Sequence, residues 1–154
     1  MTTITPQPAT GSANAKYPEL LRMGHRFVTS IGQRLVVDGF YGAMDFAFGG
    51  DGWFYVLNRY DSNPSQPKVR FAVCNIDDEF PRNIDPRVDG QSLVGKEDEW
   101  GSAVFCDSDK QGNLFFTDER ANQIITMSQE QGDVTAVWGE SGSEPGQLDG
   151  ASGI

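Results

Sequence analysis

A chain of 154 residues has room for one ordinary domain, and its formal net charge of −10 sets long-range repulsion against nucleic acids and anionic membrane surfaces. The hydrophobic share of 38% reaches the usual globular range once glycine is counted with the apolar residues, which excludes disorder of the whole chain. Glycine is over-represented, with 18 residues, and Asp-Gly pairs recur at Asp38-Gly39, Asp51-Gly52, Asp89-Gly90 and Asp149-Gly150, so the chain turns often.

Residues 1–16 are rich in Thr, Pro, Ala, Ser and Gln with almost no apolar anchor, and are expected to form a disordered tail. They contain no apolar region of a secretory signal, and no run approaches the roughly 18 apolar residues of a membrane span, so a cytoplasmic location is expected. Residues 17–40 read as a lead-in strand or partial unit: Pro18 can open one helical turn, and Arg26-Phe27-Val28-Thr29-Ser30-Ile31-Gly32 has the look of a last strand followed by glycine. From Tyr41 onward, short β-rich runs alternate with turn residues: MDFAF, WFYVL, KVRFAV, AVFCD, LFFTD, QIITM and VTAVW. No extended apolar stripe occurs at helical spacing, which predicts an all-β fold.

A shift of 60 places lays GAMDFAFGGDGWFYVLNR over SAVFCDSDKQGNLFFTDE, so that Gly52 meets Gly112, Phe54 and Tyr55 meet Leu114 and Phe115, and Asn58 meets Asp118. The second copy, 101–139, predicts strands over 103–107, 114–118, 123–128 and 134–138. The first, 41–100, carries a polar insertion at 61–67, and its fourth strand is weakly marked, at Ile84 or over 91–94. A four-stranded antiparallel meander of this size is the blade of a β-propeller, and its continuous apolar runs suit a sheet covered on both faces. Residues 140–154 read as a linker and the start of a further inner strand. Two complete blades with parts of flanking ones cannot close a ring. The expectation is therefore either a portion of a longer propeller or chains that assemble head to tail, the partners being further blades or copies of the same chain.

The stretch GNLFFTDERANQIITM followed by GDVTAVWGESGSEPGQLDGASGI resembles the NHL repeat, with Gly112, Asp118, Asn122, Ile124, Gly139, Gly142, Pro145, Gly146 and Leu148 at the motif positions. FYVLNRYD together with WGESGSEPGQ is most similar to six-bladed NHL propellers related to peptidyl-α-hydroxyglycine α-amidating lyase. The resemblance implies a zinc ion in a central channel, held by histidines before the innermost strands, with an arginine and a tyrosine beside it. Arg59 falls on that arginine. Ser102 and Ser152 stand where the histidines would be, and Asp118-Glu119-Arg120 where the tyrosine would follow. The only histidine is His25, and zinc needs at least three protein ligands, so no metal is expected in this chain unless other blades supply zinc or calcium ligands.

Other groupings have simpler readings. Asp107-Ser108-Asp109-Lys110-Gln111-Gly112-Asn113, continuing to Asp118, approximates a calcium loop, but its flanks are strands where an EF-hand needs helices, which predicts a hairpin turn. Cys74 and Cys106 lack CxxC spacing and read as reduced, half-buried thiols. Asp77-Asp78-Glu79 and Glu97-Asp98-Glu99 read as solvated loop faces, and Trp53, Trp100 and Trp138 as packing between sheets. One constellation remains: Asn58, Arg59 and Tyr60 with their repeat counterparts Asp118, Glu119 and Arg120, all at strand ends that would ring one mouth of the channel. These are the candidate ligand-binding residues, and Arg59 is the catalytic candidate if the chain is lyase-like. The leading expectation is a non-enzymatic scaffold that binds a peptide, protein or small polar ligand; the alternative is a propeller lyase or hydrolase whose metal ligands lie outside this chain.

Overall fold

Aromatic and β-branched runs of six residues, each closed by a glycine or asparagine turn, fold as expected into strands. The computed structural model describes residues 29–32, 40, 42–59, 68–92 and 100–154. They form β1 (Ala43–Phe48), β2 (Phe54–Arg59), β3 (Val69–Cys74), β4 (Arg82–Ile84), β5 (Arg87–Val88), β6 (Gln91–Ser92), β7 (Ala103–Ser108), β8 (Asn113–Asp118), β9 (Gln123–Ser128) and β10 (Val134–Trp138). Two four-stranded antiparallel sheets result, each a meander in sequence order, β1-β2-β3-β4 and β7-β8-β9-β10, with β5-β6 as a separate hairpin. No helix is present among the described residues.

The fourth strand of the first sheet is at Ile84 and not at Gln91, which belongs to the small hairpin. Asp89 and Gly90 both have positive φ, 52° and 72°, the tight turn that Asp-Gly favours, and it closes β5 onto β6 before a longer strand can form. The disordered-tail assignment, the lead-in through Val28, His25, Tyr60, the 61–67 insertion and Glu97-Asp98-Glu99 lie outside the described residues. The described part of 139–154 carries no strand beyond an isolated bridge between Ser141 and Leu148.

The repeat seen in the sequence is physical. Gly52 and Gly112 occupy the same left-handed turn, with φ of 87° and 86°. Arg59 N–H donates to the Gly42 carbonyl at 3.0 Å, and Glu119 N–H to the Ser102 carbonyl at 3.2 Å, so the same bond ties the same strand ends 60 residues apart. The two sheets meet along β1 and β7. Asp45 Oδ2 accepts from Cys106 N–H at 3.0 Å, the Phe48 carbonyl accepts from the Ser108 hydroxyl, and a Cβ at Gly50 would lie 3.9 Å from the Lys110 Cα. The contacts advance together along both strands, so β1 and β7 run side by side in the same direction.

Cross-strand partners share a face, which separates the two sides of each sheet. In the first sheet, Ala47, Tyr55, Leu57, Phe71 and Val73 point one way, and Phe46, Phe48, Phe54, Val56, Ala72 and Cys74 the other. In the second sheet Cys106, Leu114, Phe116, Ile125 and Met127 share a face. The Tyr55 face and the Phe116 face make up the main core. Phe71 and Phe116 meet across it with ring centroids 6.0 Å apart, and Trp100 stacks edge-on against Phe116 at 5.9 Å. β3 is buried at all six positions because its other side carries a second small core of Val56, Ala72 and Cys74, against which Phe54, Ile31, Phe40 and Phe80 pack.

The tryptophan expectation needs a correction. Trp100 is buried and Trp53 packs against the core, but Trp138, on the outermost strand β10, is 53% exposed. The cysteines are free thiols and buried more fully than expected, and burial is the main reason that both thiols are pushed up, Cys74 to about 11.

Candidate functional site

The sequence-predicted residues come to one end of the molecule. Parallel placement of β1 beside β7 puts their starts together, and with them the ends of β2 and β8, where Asn58, Arg59, Asp118, Glu119 and Arg120 sit. Their roles differ. Asn58 is fully buried, and its Nδ2 donates to the Val56 carbonyl at 2.8 Å. Asp118 is 1% exposed, and both of its oxygens serve the backbone: Oδ2 accepts from Ser102 N–H at 2.9 Å, and Oδ1 from Arg120 N–H at 3.0 Å and Ala121 N–H at 2.8 Å. One carboxylate thereby fixes the start of β7 and the β8–β9 turn. Arg59 is half-buried, while Glu119 and Arg120 are exposed. The end therefore presents two guanidinium groups and a carboxylate on a rim held in place by Asn58 and Asp118. Tyr60 lies outside the described residues.

The stretch that approximates a calcium loop is a hairpin turn, as its flanks predict. Asp109 Oδ1 accepts from the backbone N–H groups of Gln111 and Asn113, both at 2.9 Å, and its Oδ2 from Asn113 Nδ2 at 2.7 Å. These bonds, led by the one from the Asn113 side chain, hold its carboxyl below the usual carboxylate range. Asp118 is occupied elsewhere. Among the described residues, no group of three or more His, Cys, Asp or Glu side chains is arranged to hold a metal ion.

At the opposite end lies a polar cleft of about 460 Å³ that sequence reasoning missed, lined by Asp51, Tyr55, Arg82, Gly112, Asn113 and Gln129 among others. Tyr55, buried on the face toward the second sheet, donates its hydroxyl to Asp51 Oδ2 at 2.7 Å. Arg82 reaches across the sheets, giving Nη1 to the Glu130 carbonyl at 2.9 Å and Nη2 to that of Gln129 at 3.1 Å, so it closes the end of β9 onto the first sheet. The available signal was a difference between the repeats: Asp51 and Tyr55 align with Gln111 and Phe115, so only the first copy carries this polar pair.

Burial, then the hydrogen bond to Asp51 and its charge, raise Tyr55 to about 12, against a smaller opposing effect of Arg82. A proton held more tightly in the folded state stabilises fully below the ordinary tyrosine value of about 10, and that contribution is lost as pH rises toward the folded value. Urea unfolding of the wild type should therefore show a midpoint that falls steeply above a pH of about 10. Tyr55→Phe should be less stable by about 1 kcal/mol below that range, with a flatter dependence within it. An equally steep alkaline fall in the variant would remove Tyr55 as its source.

No model of a known protein family matches the chain, and no curated protein matches it.

Proposed function

We propose that the chain is a repeat-built scaffold of the propeller type, whose rim at the ends of β2 and β8 binds a peptide, protein or small polar ligand. The observation that carries this reading is the parallel, 60-residue register of β1 beside β7, with the same backbone bond repeated at Arg59–Gly42 and Glu119–Ser102. Inner strands set side by side around an axis are how a propeller brings equivalent strand ends to one mouth. The rim then offers Arg59, Glu119 and Arg120 to a ligand, and Asn58 and Asp118 hold it rigid, the arrangement expected of a site carried on strand ends. The NHL-like spacing supports the same reading. A lyase activity rests on the resemblance alone.

An NMR titration with a panel of short polar peptides, some ending in a free carboxylate, tests the proposal. Shifts at the amides of 59 and 118–120 are expected, weakened at least tenfold in Arg59→Ala and Arg120→Ala with melting temperatures unchanged. A loss of stability in both variants with no peptide effect would show that the guanidinium groups serve only to satisfy charges between the sheets.

A further inference from the structure

The polar cleft between the two sheets holds hydrogen-bonding capacity that the fold does not use. Gln129, just past the end of β9, is 9% exposed, and its Nε2 donates to the Asn113 carbonyl at 3.4 Å. Its Oε1 accepts no hydrogen bond among the described residues. A Cβ at Gly112 would stand 3.9 Å from that oxygen with no other neighbour, so glycine leaves it open to the cleft that both residues line. An amide oxygen on so deeply buried a side chain is costly to leave without a donor, and the fold supplies none.

The other lining groups define the donor that would satisfy it. Asp51 comes from the β1–β2 turn and Glu130 from the β9–β10 turn, so each sheet brings one carboxylate to the cleft. Among the described lining residues only Arg82 is cationic, and its two terminal nitrogens are held on the backbone carbonyls of Glu130 and Gln129. The Tyr55 hydroxyl registers the balance: after burial, the bond and the charge of Asp51 raise it by more than Arg82 lowers it, so the field at the cleft floor is negative. A volume of about 460 Å³, with no three acidic, His or Cys side chains among the described residues arranged to hold a metal, suits an organic cation better than a metal ion.

We infer that this cleft binds a primary ammonium group, carried by a small amine or a lysine side chain, with Gln129 Oε1 and the Asp51 carboxylate as its acceptors and the exposed Glu130 beside them. An ammonium has three donors and no acceptor, which matches a site whose spare capacity is in oxygens. The repeat shows that the polar pair is not needed to build the sheet. Tyr55 corresponds to Phe115, on the face of the second sheet turned away from the first, so the sheets stack front to back. The equivalent turn, with the same φ at Gly112 as at Gly52, forms there with Gln111 and Phe115 in place of Asp51 and Tyr55. The cleft lies at the opposite end from the rim, and the inference does not depend on what the rim binds.

NMR titration of the full chain with n-butylammonium chloride and with Nα-acetyl-lysine methylamide tests it, glucose and calcium chloride serving as the neutral-polyol and metal probes. Saturable shifts are expected at the Gly112 and Asn113 amides and at the Gln129 side-chain amide, while the amides of 59 and 118–120 stay in place. A response to only one of the two ammonium probes supports the site and tells whether a free amine or a peptide side chain is its source. Affinity should fall at least tenfold in Gln129→Met, which keeps the chain length but loses the oxygen, and in Asp51→Asn, which keeps an acceptor for Tyr55 but removes the charge. Glu130→Gln, at an exposed position, should weaken binding about threefold and carries the test should the other two unfold. Neither ammonium probe shifting these groups would overturn the inference. So would unchanged affinity in the folded variants, or equal saturation by glucose or calcium at the same concentration.

Discussion

Phe116→Ala is expected to lower stability by about 3–5 kcal/mol, the largest loss from any single truncation in this chain. The side chain is fully buried and faces Phe71 of the first sheet and Trp100 beside the second, so no neighbour can swing in to fill the space without giving up its own contacts. It is also the main aromatic link between two sheets that share no strand. Urea denaturation should show a lower midpoint, and a lower slope as well if the sheets begin to unfold separately. Phe48→Ala is the matched control: its ring is 64% exposed, and the change should stay within about 0.5 kcal/mol. Equal effects of the two substitutions would mean that the core is not where the Phe71–Phe116 contact places it.

Asp118→Ala comes second, at about 3 kcal/mol. The alanine leaves the N–H groups of Ser102, Arg120 and Ala121 without their charged acceptor, and the penalty is the loss of three charge-assisted hydrogen bonds in a part-buried turn, which water replaces only in part. Asp118→Asn keeps one acceptor oxygen but turns an amide NH2 toward a backbone donor, and should recover about half of the loss. Hydrogen exchange at the Ser102, Arg120 and Ala121 amides should accelerate in both variants while the Ile125 and Met127 amides follow global stability. If exchange at these three amides is unchanged, the carboxylate is not their partner.

Much of the strand plan was legible because the signals were local. Aromatic and β-branched runs marked β1–β3 and β7–β10, and Gly52 and Gly112 marked equivalent turns whose identical geometry the structure shows. The short hairpin escaped because a two-residue strand has no periodicity, although Asp89-Gly90 carried the chemistry of its turn. The candidate rim was legible as a place but less so as a set of roles. An acid at a strand end reads as a ligand-binding group, yet in Asp118 the following turn turns two donors back on it and the residue before β7 supplies a third, a competition that residue type alone does not reveal. The Asp51–Tyr55 cleft was hidden because it depends on Arg82 and Gln129 arriving from other strands. The exposure of Trp138 follows from its place on the outer strand, where the sequence shows an aromatic residue but not what faces it.

The central claim is that two copies of one four-stranded unit stack front to back with β1 and β7 parallel and 60 residues out of step. A cysteine pair at Gly50→Cys and Lys110→Cys tests it most directly, since a Cβ at residue 50 meets nothing nearer than the Lys110 Cα at 3.9 Å and the native thiols are buried. Mild oxidation should close an intramolecular disulfide between residues 50 and 110 in most molecules, while a Gly50→Cys and Val137→Cys control stays reduced. A pair at 50 and 110 that remains fully reduced in folded protein, or a control that cross-links as readily, would contradict the account.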